Sequence, residues 1–412
     1  LPGRTNPANR RIMVKLSASG PPRSAAMISR RHALTGLGSA LLASAATRAT
    51  AQRAVFDPQG AGTGLTLTEE QLAAGRALLQ RHPSVDIHAH PGRFFLRDLK
   101  VQSPTTKAFG EPFEARALAD IARGGVTAAL FNCVADTLLL EASPTRGMVF
   151  SREFAPGEAW ADYRRQIATL QALVRKGAAA PGRTPKDIAH ALAAHRTACV
   201  FAVEGGDFIE EDLDRVHRAK ADGVRAITIV HYHPNQIGDP QTEAPRTPGL
   251  TPVGRAIVRE MNTAGIIIDL AHASFGVTRD TVEISDRPVM LSHTNLKRPD
   301  VEHPRLVSVE HAKLVASHGG IVGSVPSGIG QKTVADWIDS ILRLVDAVGP
   351  DHVAIGTDMD ANYMPVFADY AQWGLIPAAL LARGVGETDV AKIMGGNFLR
   401  VFGEVLAAPG RA

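Results

Sequence analysis

Two imidazoles stand two residues apart in Ser84-Val85-Asp86-Ile87-His88-Ala89-His90, just ahead of Pro91-Gly92. Residues i and i+2 of a strand share a face, so His88 and His90 can address one object, and imidazole is a common ligand of divalent metals. Two histidines in a surface turn would look the same, so the pair decides nothing alone. The chain repeats the theme. Short apolar runs end in Val203-Glu204, Val230-His231-Tyr232-His233, Asp269-Leu270-Ala271-His272, Ser292-His293 and Thr357-Asp358-Met359-Asp360. A carboxylate closing an apolar strand, as Glu204 does, needs a cation or strong donors. His272 and His293 are read as ligands on the same ground. Either His231 or His233 could be the inward member of its pair, and Asp358 is preferred to Asp360 because it lies nearer its strand. His82, His190, His195, His217, His311, His318 and His352 fall in or beside helical patterns and are read as solvated.

The elements that must carry these residues form a simple alternation. β-branched or apolar runs at 84–90, 126–131, 198–203, 224–230, 266–270, 289–291, 321–325 and 353–355 are separated by helical patterns, among them 68–81, 114–123, 212–221, 252–263, 309–317 and 334–348. Strands alternating with helices imply parallel strands joined by crossovers. Eight such units predict an α/β fold, a closed (β/α)8 TIM barrel, whose functional residues gather at the C-terminal ends of the strands. Six of the eight runs end in a residue able to bind metal or move a proton, which fits that rule. No Gly-x-Gly-x-x-Gly follows the first strand to favour an open nucleotide-binding sheet. The long gap between strands two and three, about 135–196, carries helical stretches at 158–176 and 184–195 and is read as a helical insertion over the barrel mouth.

At 412 residues, 45% apolar and 21% charged, the chain can bury a large core. Its positive balance comes from residues 1–51, which hold eight Arg and Lys and no acid; the rest carries 37 basic and 41 acidic residues, a net charge of −4. The basic character therefore belongs to a leader and does not suggest nucleic acid. Arg30-Arg31 precedes a mild apolar run at 35–43 and a small-residue stretch, Ala49-Thr50-Ala51. This resembles a twin-arginine export signal, with Met27 as a natural start and residues 1–26 as an upstream extension. Residues 52–412 then form one (β/α)8 domain with the candidate metal site, periplasmic or otherwise exported, with no stable membrane span. Cys133 and Cys199 are expected to be buried free thiols rather than a bridge.

Taken together, the motifs resemble the membrane dipeptidases, or renal dipeptidases, of the amidohydrolase-like barrels. The resemblance runs from about Val85 to Val405. It is carried by Asp86-Ile87-His88, Val203-Glu204-Gly205-Gly206, and Val224-Arg225 leading to His231 with Asn235-Gln236-Ile237-Gly238-Asp239 after it. Ile268-Asp269-Leu270-Ala271-His272, Ser292-His293, His303-Pro304-Arg305, Ile355-Gly356-Thr357-Asp358-Met359-Asp360 and Gly395-Gly396-Asn397-Phe398-Leu399-Arg400-Val401-Phe402 complete it. The resemblance implies two zinc ions: His88 and His90 hold one, His272 and His293 the other, and Glu204 bridges them. It implies that His231 polarises the scissile carbonyl, that Arg305 clamps the C-terminal carboxylate of a dipeptide, and that Asp358 is the acid/base for attack by a metal-activated hydroxide. A homodimer is a further family expectation.

Three positions depart from the family pattern. Residue 90 is His where the family usually has Asp, which lowers the anionic charge around the metals and can change metal preference. Leu306 follows the arginine and Tyr232 follows His231 where Asn is frequent. These changes bear on substrate choice more than on reaction class. A lactonase, deaminase or N-acyl amino acid hydrolase of the wider group is the alternative, since those enzymes also use His-x-His on the first strand.

Overall fold

A computed structural model describes residues 62–143 and 146–407. The leader, with its export motif, lies outside them. Eight parallel strands form the barrel: β1 (Val85–Ala89), β2 (Ala128–Val134), β3 (Ala198–Glu204), β4 (Val224–Thr228), β5 (Ile267–Asp269), β6 (Met290–Thr294), β7 (Ile321–Ser324) and β8 (Val353–Ile355). Each pairs with its neighbours in sequence, and β1 pairs with β8 through Asp86 and Ile355, closing the ring. The longest ladder joins β2 to β3, in register from Ala128–Ala198 to Val134–Glu204. Nearly every strand residue is buried, as expected where helices cover a parallel sheet outside and side chains fill it inside.

The helices start and stop where local chemistry directs. The helix Pro252–Ala264 begins after Thr251, whose hydroxyl accepts from the Gly254 N–H, and ends at Gly265 with φ 65°. The closing helix Asn397–Leu406 turns Phe398, Val401, Phe402 and Val405 onto Val85, Val200, Ile267 and Ile321, sealing the barrel with apolar groups. The opposite end, where the strands finish, is left to polar side chains.

The segment between β2 and β3 carries the expected helices, Glu158–Arg175 and Pro185–Ala193. Its helix Glu158–Arg175 packs on the barrel wall, joining Tyr163, Ile167 and Leu170 to the cluster that holds Phe131 and Phe208. Ahead of that helix stands an antiparallel hairpin, Leu140–Ser143 against Gly147–Phe150. Four-residue strands of mixed polarity show no period, so the sequence carried no signal for it. Met148 of the hairpin packs in the small cluster that includes Phe95 and Leu140, together with Tyr232 from the end of β4.

Candidate metal centre

Glu204, the last residue of β3, sits at the middle of the strand ends and is buried. Its Oε1 lies 3.1 Å from His272 Nε2, 3.3 Å from His88 Nε2 and 3.5 Å from His293 Nε2. Its Oε2 lies 3.4 Å from His90 Nε2 and 3.5 Å from His231 Nε2. All four proposed ligand histidines are buried. His88 and His90 do face one object, and His272 and His293 approach it from the other side.

These separations suit cations. Nitrogen and oxygen ligands about 2.0–2.2 Å from one tetrahedral zinc stand roughly 3.3–3.5 Å apart. His88, His90 and Glu204 form one group of donors within 4.8 Å of one another, and Glu204, His272 and His293 form a second. His88 Nε2 and His90 Nε2 are buried without a hydrogen-bond partner, a cost that a cation at the first group would remove. Neutral imidazole with carboxylate is the donor chemistry of zinc and similar divalent metals. The residues of each group therefore fit a divalent metal ion.

The charges of the site's own groups follow from burial and neighbours. Burial alone would raise Glu204, but His231 and His88, with hydrogen bonding from His272, hold it well below the usual carboxylate range. Burial, with Arg305 near His272 and His88 near His293, keeps those two imidazoles well below their ordinary value. His90 goes the other way: burial lowers it, yet Asp358 and Glu204 outweigh that and lift it to about 10.

The structure settles which member of each doubled pair points inward. His231 turns to Glu204, and its Nδ1 lies 2.6 Å from Asp136 Oδ1. His233 turns away, its Nδ1 2.6 Å from Asp207 and its Nε2 2.9 Å from Glu153, between the rings of Phe150 and Phe154. Asp358 Oδ1 is 3.3 Å from His90 Nε2. Asp360 instead accepts the Gly92 N–H at 2.7 Å. His272 and Asp358 both adopt positive φ, 66° and 55°, a conformation that costs a non-glycine residue about 1 kcal/mol or more and collects at functional sites.

Arg305 reaches the same region, with a weak 3.4 Å contact from its guanidinium to the His293 carbonyl. Glu204, Asp358 and Asp269 act on it electrostatically, but among the described residues no carboxylate pairs with it. The Tyr232 ring lies 4.5 Å from that of His231 and 5.0 Å from that of His272. Burial pushes its phenol above the ordinary range, so it stays a donor.

Sequence reasoning missed the supports. Asp136 came from a turn with no motif, and Ser292 was seen only as part of a Ser-His pair. The solvated reading of His311 is wrong: it is buried, 2.8 Å from Thr278 Oγ1, and burial pulls it down to about 4. His318 and His352 are half-buried against the carbonyls of Arg287 and Gly320. Cys133 and Cys199 are buried free thiols as expected. No helix among the described residues is long and apolar enough to cross a membrane.

Comparison with known proteins gives a consistent picture. A dipeptidase of Claviceps purpurea is 36% identical over 193 residues, 44% of this chain and 45% of that protein. Another, of Clonostachys rogersoniana, is 28% identical over 250 residues, 58% of this chain and 64% of that protein. The chain thus spans about half the length of the curated relatives it matches. Among solved structures, an amidohydrolase from Pseudomonas aeruginosa superposes with a TM-score of 0.63 at 24% identity, covering 81% of this chain and 99% of that one. A metallopeptidase from Rhodobacter sphaeroides, solved with a phosphinate mimic of the dipeptide L-Ala-D-Ala, gives a TM-score of 0.66 at 20% identity over 79% and 99%. At such identities the likeness establishes the barrel alone. The family description membrane dipeptidase (peptidase family M19) matches residues 36–410, taking in every strand of the barrel and every residue of the centre. The chain belongs to the membrane dipeptidase family.

Proposed function

We propose that this protein hydrolyses the peptide bond of dipeptides, using two zinc ions held by His88 and His90 on one side, His272 and His293 on the other, and Glu204 between them. The observation that carries the reading is the position of Glu204, with one carboxylate oxygen or the other 3.1–3.5 Å from the Nε2 of each of these four imidazoles. When bound, the ions supply positive charge that polarises a carbonyl and acidifies a water.

The chain's own residues do the rest. Arg305, which pairs with no carboxylate among the described residues, binds the substrate's C-terminal carboxylate through its two-pronged guanidinium. His231, held at Nδ1 by Asp136, presents Nε2 toward the scissile carbonyl. Burial lowers this imidazole, but Asp136 and Glu204 raise it above its ordinary value, which favours donation to the oxygen as negative charge develops there. Asp358, at the rim beside His90, accepts the proton of the attacking water and delivers it to the departing amine.

Metal content per chain, measured with turnover of a panel of dipeptides, N-acyl amino acids and lactones, tests this. Two ions per chain and hydrolysis confined to dipeptides support it. Turnover of acyl amino acids or lactones alone shifts the protein to the wider amidohydrolase reading, which draws support from the His-x-His pair. We also propose export through the twin-arginine leader and assembly as a homodimer. A mature chain beginning just after Ala51 in an exported fraction, and a sedimentation mass twice that of the chain, are the results these require.

A further inference from the structure

The two halves of the centre share one hydroxyl. Ser292 Oγ donates to Asp269 Oδ2 at 2.7 Å, and the same oxygen receives Thr228 Oγ1 at 2.6 Å. Asp269 Oδ1 accepts the backbone N–H groups of Ala271 and Ser292, at 3.1 and 2.9 Å. A carboxylate only accepts, so the single proton of Ser292 is committed to it. The two lone pairs of Ser292 Oγ then face Nδ1 of His88 at 3.1 Å and Nδ1 of His293 at 2.9 Å. Each of these contacts needs a hydrogen on Nδ1, and a neutral imidazole with hydrogen there has a bare Nε2. Both bare nitrogens lie near Glu204 Oε1, at 3.3 and 3.5 Å, and that of His293 also lies 3.0 Å from His272 Nε2, which then carries the hydrogen between them.

The other two histidines are held differently. His90 Nδ1 meets the Asn132 carbonyl at 2.9 Å, and His272 Nδ1 is buried with no partner. The backbone at Ser292 has little freedom, because β7 and the residue after β8 press on it. A Cβ at Gly323 would fall 1.8 Å from the Ser292 carbonyl oxygen, and one at Gly356 would fall 2.0 Å away.

We infer that Ser292, fixed by Asp269, is a positioning residue common to both half-sites: it sets the tautomer of one histidine at each, so the two cations bind as a coupled pair. The inference rests on the two-ion reading above. Support around a metal ligand typically changes affinity about 10–100-fold, and here one change should act on both ions.

The test compares wild type, Ser292→Ala and His90→Ala, each dialysed against graded chelator, with metal per chain read by mass spectrometry and cobalt substitution read by absorption. Folding is checked by circular dichroism. Ser292→Ala is expected to weaken both ions together by about 10–100-fold, whereas His90→Ala releases one before the other. A Ser292→Ala protein that keeps both ions at wild-type affinity, or loses only one, overturns the inference while leaving the two-ion centre intact. Wild type holding a single ion overturns both. If Ser292→Ala does not fold, nitrogen-15 spectra of histidine-labelled, zinc-loaded wild type decide. Hydrogen on Nδ1 of both His88 and His293 supports the assignment, and hydrogen on Nε2 of either overturns it.

Discussion

Asp136 Oδ1 lies 2.6 Å from Nδ1 of His231, while Oδ2 accepts the backbone N–H groups of Tyr232 and His233 at 3.2 Å each. One buried carboxylate thus fixes both the ring and the chain that carries it. Asp136→Asn keeps the shape but disturbs the acceptor on Nδ1. We expect kcat/KM for a good dipeptide to fall about 10–100-fold with metal content unchanged. Steady-state kinetics beside metal analysis checks this, and a variant that loses metal instead would place Asp136 among the supports of the cations.

Asp358 is assigned to proton movement, so its effect should fall on kcat. Asp358→Asn is expected to cost about 10²–10⁴-fold in kcat, with KM changed only a few-fold. Dipeptide turnover at the wild-type rate would remove the acid/base assignment.

Arg305 should act through the substrate's carboxylate alone. Arg305→Lys loses the two-pronged contact, and a hydrogen bond to a charged group contributes about 1.5–3 kcal/mol, so KM should rise about 10–100-fold. Wild type should lose comparably on a C-terminally amidated dipeptide, and the variant should scarcely distinguish acid from amide. Equal wild-type affinity for acid and amide contradicts the clamp.

His233 ties the hairpin side of the site to the barrel. Burial lowers this imidazole, but Asp207 and Glu153, with Asp136 nearby, lift it to about 9. A folded pKa raised above the unfolded value of about 6.5 means a contribution present in full below that pH and lost as pH rises through about 9. Amide exchange in 147–154, corrected for its intrinsic pH dependence, should therefore accelerate above pH about 8. Glu153→Gln should move that acceleration to lower pH. Protection that stays flat to high pH would show that Phe150 and Phe154 hold the segment without the charge.

Binding of the ions should also stabilise the fold, since the ligand set converges only when the barrel is closed. Free zinc at about 100 times its dissociation constant adds about 2.7 kcal/mol for one site. Chelation should lower Tm and readdition of zinc restore it; a Tm indifferent to both would separate the centre from folding.

Much of this centre is local chemistry and can be read from the chain. Glu204, His272 and His293 each close or follow a short apolar run, and barrel geometry sends strand ends to one rim. The helix 309–317 and the strand 353–355 appear where the periodicity puts them. The hairpin at 140–150 is absent from any pattern because its strands are too short, and His311 was misplaced because one histidine in a helix does not reveal which face is buried.

By itself, then, the sequence determined the alternation of strands and helices, the residues offered at the strand ends and the family. The tertiary structure decided which of His231 and His233, and which of Asp358 and Asp360, turns inward. It also supplied the supports: Asp136 for His231 from 95 residues away, and Ser292 for His88 from 204 residues away. Period and strand-end chemistry are properties of neighbours in the chain. Tautomers and side-chain directions depend on hydrogen-bond partners that become neighbours only when β1 meets β8 and the ring closes.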